Sequence, residues 1–177
     1  MQTLGQPARE ATDLYRLAYL LTGDSATGLD VATEAIEDDD NAFFSHWMLA
    51  WSRRVVIAKS IVAIRAELAA SITRTASIPA SRKPLPPPGS NLRLHTSADL
   101  DHALLGIDTF PRCALLLSVF ERVSLADAAI LLDCTPAAVE HARNIGLREL
   151  TANLAPRQEL PSTAACPFWI TGDLQRA

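Results

Sequence analysis

Near the end of this 177-residue chain stand Thr135, His141, Asn144 and Arg148. Side chains of these kinds hydrogen-bond to base edges or reach phosphates. A second set, Arg53, Arg54 and Lys59, follows Trp47 and Trp51, and cations beside aromatic rings are what grips single-stranded nucleic acid. A third set, Asp30, Glu34 and Glu37, is spaced by four and three residues, which aligns three carboxylates along one helix face. That face is an electrostatic dock for a basic surface, or simply a solvated one. Catalytic chemistry finds no such grouping. The four histidines (His46, His95, His102, His141) and three cysteines (Cys113, Cys134, Cys166) lack metal-ligand spacing. No glycine-rich phosphate loop occurs. An enzyme, a metal site and a bound cofactor are therefore not expected.

The elements that must carry these residues read as helices throughout. Residues 124–150 predict a helix, a tight turn and a second helix. Ser124 caps the first helix with Asp127 as its capping-box partner, and Leu125, Ala128, Ala129 and Leu132 share one face. Asp133 suits a left-handed turn. Thr135 followed by Pro136 restarts the chain as N-cap and first helical residue. This is the shape of a helix-turn-helix, yet the segment holds two arginines against four acidic residues. DNA affinity comes mainly from cations on phosphates, so Glu140 on the outer face, beside Ala138, opposes that use. Two helices packed in an ordinary core is the other reading.

Charge and composition set the wider limits. The net charge is −4 and 49% of residues are apolar, enough for a real core. Residues 1–73 and 96–150 are each acidic, whereas 74–95 hold four basic residues and no acid. An odd number of widely spaced cysteines argues against a disulfide framework and fits a reducing cytosol. No apolar run approaches a membrane span, and the first residues lack a secretory signal, so a cytoplasmic protein is expected.

Five of the eleven prolines lie in residues 74–96, including Pro86, Pro87 and Pro88, a semi-rigid spacer. The expected architecture is all-α: two small helical lobes, 1–73 and 97–155, joined by the linker 74–96 and followed by a tail, 156–177. In the first lobe Pro7 opens a helix with Leu14, Leu17, Ala18 and Leu21 inward, ended by Gly23. Asp24 caps a second helix to about Glu37, which leads into Asp38–Asp40. Asn41 caps a third, running to about Ala70, with Phe44, Trp47, Met48, Trp51, Val55, Ala58 and Val62 as its buried stripe. Arg53, Lys59, Ser60 and Glu67 face outward. Ser97 and Pro111 each precede a helix in the second lobe. In the tail, Pro167-Phe168-Trp169-Ile170 should dock on one of the lobes.

Three segments in order resemble the extracytoplasmic-function group of bacterial RNA polymerase sigma factors. LYRLAYLLTGDSATGLDVATEAIED (14–38) resembles the family's second region through Leu14, Tyr15, Leu17, Ala18, Leu21, Thr22, Gly23, Asp24, Asp30 and Glu34. WMLAWSRRV (47–55) is similar to the helix that follows, through Trp47, Ala50 and Arg53. Residues 110–150 resemble the fourth region through Pro111, Arg112, Leu115, Leu117, Ser124, Ala129, Leu132, Val139 and Leu150. The resemblance implies a transcription initiation factor whose second helix, through Asp30, Thr33, Glu34 and Glu37, binds the clamp of core RNA polymerase. It also implies promoter DNA held by Arg53, Arg54 and Lys59 and by Thr135, His141, Asn144 and Arg148, and an anti-sigma protein as a further partner. Leu29, Thr33, Ile36, Arg54 and Ala58 depart from the family pattern, as do Ala138, Glu140, Ala142 and Ile145 where polar or basic residues would meet DNA. Those departures support an alternative, a sigma-derived interaction module that keeps the scaffold without reading sequence.

Overall fold

The computed structural model describes residues 6–37, 45–79 and 96–155. Among them there are α-helices and no strand, as the periodicity predicts. In order they are α1 (Gln6–Thr22), α2 (Ser25–Glu37), α3 (Ser45–Ala63), α4 (Arg65–Ala76), α5 (Ser97–Leu105), α6 (Thr109–Leu115), α7 (Leu125–Leu131) and α8 (Pro136–Leu154). A π-helical turn, Leu116–Phe120, prolongs α6. The Asn41 cap, the acidic run Asp38–Asp40, Phe44, most of the proline-rich segment and the apolar cluster of the tail lie outside the described residues, as do the side chains of Trp47 and Met48.

α1 buries Leu14, Leu17, Ala18 and Leu21 and ends at Gly23. The Asp24 carboxylate then accepts from the Thr27 N–H at 2.8 Å, satisfying a donor that the start of α2 would otherwise leave open. Gly28 lets α2 lie close on α1, since a Cβ there would sit 2.9 Å from the Tyr19 backbone.

The third helix differs from expectation in two ways. It breaks at Ile64, whose φ of −99° and ψ of 11° separate α3 from α4. Its buried stripe is Ser52, Val56, Ser60, Ile64, Leu68, Ser71 and Thr75 with Ile57 and Ile61 beside it, on the side of the helix opposite the predicted one. Ala58 and Val62 are therefore exposed, Val55 is half-buried, Trp51 is 62% exposed, and Ser60, expected outside, is inside. The small side chains of Ser52, Ser60, Ser71 and Thr75 let α3 and α4 approach their neighbours where large side chains would hold them away. Aromatic size misled the reading of the pattern, because α3 turns its β-branched residues inward. α4 also continues through Arg74, Thr75 and Ala76, so the first three residues assigned to the linker are helical.

The chain before the proline-rich segment and the chain after it pack on each other. Leu14, Leu17, Leu20, Leu21, Val56, Ile61 and Leu68 belong to the same buried cluster as Leu104, Phe110, Cys113, Leu117, Leu132 and Val139. Polar contacts cross the seam: Ser71 Oγ accepts from the Phe110 N–H at 2.9 Å, and Thr109 Oγ1 donates to Glu67 at 2.6 Å. Three ion pairs join a first-half arginine to a second-half acid: Arg16 with Asp101, Arg53 with Glu121, and Arg74 with Asp108. A Cβ at Gly146 would lie 2.7 Å from the Pro111 carbonyl oxygen, so glycine sets the close crossing of α8 over α6.

Candidate functional site

Two surfaces bring the expected residues into view. On α2, Leu29, Asp30, Thr33, Ile36 and Glu37 are all exposed, and their spacing puts them on one side, opposite Gly28, Val31, Ala32 and Ala35, which are buried. Two of these five are large apolar side chains left in water, Leu29 at 56% and Ile36 at 40% exposed. Glu34 stands at the edge of this face, where Lys59 donates to it at 3.1 Å. The structure puts Asp30, Thr33 and Glu37 together at the surface. The apolar pair is a feature that the carboxylate spacing did not reveal. Isolated exposed leucines are ordinary, but an apolar pair rimmed by acids on one helix has the make-up of a docking surface.

On the second half, α7, a tight turn and α8 stand where the capping signals predict. Asp133 takes φ 52°, and Thr135 Oγ1 accepts from the Ala138 N–H at 3.2 Å. The Ser124 cap is formed differently from the box. Its Oγ accepts from the Asp127 N–H at 3.1 Å and donates to the Asp127 carboxylate at 2.7 Å. The complete capping box belongs to α5, between Thr96 and Asp99, one residue before the predicted Ser97.

The outer face of α8 shows Ala137, Glu140 and Asn144 exposed, with His141 and Arg148 half-buried. His141 Nε2 lies 3.1 Å from the Ile78 carbonyl oxygen, so the imidazole holds the end of α4. Arg148 Nε donates back to the Asn144 carbonyl at 3.3 Å, and Arg143 sits 3.8 Å from Glu140. Ala142 and Ile145, where the resemblance leads one to expect DNA-facing side chains, are core residues at 0% and 3% exposure. Their apolar character follows from packing on α6, not from a lost contact.

The first-half cations divide likewise. Arg53 Nε donates to Glu121 at 3.0 Å, and this hydrogen bond raises the guanidinium's already high pKa. Lys59 lies on Glu34. Arg54 is exposed beside Trp51, with no ion pair among the described residues. The structure therefore brings Trp51 and Arg54 together at the surface and engages Arg53 and His141 elsewhere.

Among the described residues no group of His, Cys, Asp or Glu could hold a metal ion, and no helix is long and apolar enough to cross a membrane. Cys113 is fully enclosed and burial pushes its thiol up to about 12, which leaves it an inert packing residue. Cys134 is half-buried at the α7–α8 turn, its thiol also raised by burial. No protein-family model, curated protein or solved structure matches this chain.

Proposed function

We propose that the chain is a sigma-like transcription initiation factor that engages core RNA polymerase through the outer face of α2. One observation carries this reading: Asp30 and Glu37 flank Leu29 and Ile36 on a face that no other described helix covers. Carboxylates there steer a basic partner surface, and the two apolar side chains supply contact area once docked. The order of the three sequence segments supports the same assignment.

A second reading rests on α8. With Glu140 exposed, Arg143 beside it and His141 held by Ile78, duplex promoter DNA meets few cations. The interaction-module alternative is favoured by that surface: a protein that holds polymerase, a sigma factor or an anti-sigma protein without reading a promoter. A pull-down of core RNA polymerase, paired with promoter-dependent transcription in the same preparation, separates the two. Binding with transcription supports the first reading, binding without it supports the second, and loss of both removes the sigma assignment.

A further inference from the structure

A groove of about 950 Å³ lies between α3 and α7, with no α2 residue in its lining. Its α3 wall carries Trp51 and Arg54, its α7 wall carries Ile130, and Arg122 stands at its rim. Trp51 is 62% and Ile130 78% exposed, and two such side chains facing one concavity form a patch awaiting a cover, unlike apolar residues scattered singly.

We propose that this groove is the seat of the chain's own segment Pro167-Phe168-Trp169-Ile170. Reach permits it. From Ala155, at the end of α8, to Pro167 is twelve residues, about 40 Å when extended. Returning along the nineteen residues of α8 to the α7 side takes about 28 Å. Composition favours it too. Adjacent aromatic rings carry a large apolar area, which suits a groove lined by Trp51, Val55, Ile57, Ile130 and Leu131. Asp173, three residues beyond Ile170, supplies a carboxylate for Arg54 or Arg122, both exposed at the rim. A tethered segment also acts at an effective concentration far above that of a free partner. Seated there, the segment covers Trp51 and Arg54.

The test is disulfide trapping in the full chain. Ile130→Cys places a thiol on the α7 wall, Cys134→Ser removes the nearby one, and native Cys166 immediately precedes Pro167. Thiols link only where Cα atoms come within about 7 Å, and enclosed Cys113 stays silent. Mild oxidation is expected to link the introduced thiol to Cys166 within one molecule, at least about tenfold faster than when Phe168→Ser and Trp169→Ser are added. The proposal is overturned by no link, by a link indifferent to those two changes, or by links only between molecules that grow with protein concentration. Should Ile130→Cys lose helicity, acrylamide quenching of Trp51 in a Trp47→Phe, Trp169→Phe chain gives the same decision. Adding Phe168→Ser is expected to raise quenching, and unchanged quenching overturns the proposal.

Discussion

α2 and α8 each turn an outer face to solvent, and the two differ in make-up. On α2 the acids flank Leu29 and Ile36, which remain exposed while Val31, Ala32 and Ala35 are buried. On α8 the exposed positions are Pro136, Ala137, Glu140, Asn144, Ala152 and Asn153, while every large apolar residue is buried or half-buried against the core. A face that mixes charge with uncovered apolar area suits a protein partner. A face of small and acidic residues suits neither a protein core nor a phosphate backbone. That difference is why the proposed docking face is the one on α2 and not the one on α8.

The largest effect tests whether the halves carrying these two helices stand or fall together. Phe110 is buried at the seam and its N–H donates to Ser71. Phe110→Ala is expected to cost about 3–5 kcal/mol, with α1–α4 and α5–α8 unfolding in one transition by circular dichroism and tryptophan fluorescence. Two separated transitions would show that the halves fold independently, and the comparison would then be between two domains.

Next comes the α2 face itself. Asp30→Lys with Glu37→Lys is expected to weaken core-polymerase affinity about tenfold or more at low salt, roughly 1.4 kcal/mol. The effect shrinks as salt screens it. Helicity should not change, because both side chains are exposed. Equal affinity for the two proteins would mark this face as merely solvated.

A smaller gain is expected on α8. Ala137→Lys with Glu140→Lys alters exposed positions only, unlike Ala142, where an arginine would enter the core. Each new phosphate contact is expected to steepen the salt dependence of duplex binding by about 0.9 of a log unit. A slope identical to that of the unaltered chain would mean that α8 does not face DNA.

The smallest effect concerns the seam. The Arg74 hydrogen bond holds the Asp108 carboxyl below the ordinary carboxylate range. A folded pKa lowered in this way contributes stability that is present above the unfolded value. That stability is lost as pH falls below about 4 and through the folded pKa. Asp108→Asn is expected to flatten this acid loss in urea melts at pH 3 and pH 7. Because solvent screens the Arg74–Asp108 pair, its loss at pH 7 should be the smallest of these effects. Glu149 runs oppositely: burial raises its carboxyl, so its share favours the fold at low pH and fades as pH rises through its folded pKa.

Local signals carried far in this chain. Asp24, Thr135 and Asp133 fixed two helix starts and a turn through side-chain to backbone bonds among near neighbours, which the sequence displays. The stripe on α3 was not legible in the same way. Trp51 and Ser60 reverse their expected sides because the packing of α3 on α1 and of α4 on α6 decides which face is inward, and that is a long-range fact. Likewise the acids of α2 could be read from their spacing, but the exposure of Leu29 and Ile36 depends on what α1 leaves uncovered. Arg53 and His141 have the right chemistry for DNA, and only the fold reveals Glu121 and the Ile78 carbonyl as their partners.

The claim at the centre of this account is that α2 docks on polymerase. Its most direct test is the equilibrium affinity of the purified full chain for core RNA polymerase, measured beside Leu29→Ser with Ile36→Ser and beside Asn144→Ala with Arg148→Ala. Measurable binding is expected, weakened about tenfold by the α2 pair and left unchanged by the α8 pair. Absence of binding, or a loss confined to the α8 pair, would contradict it.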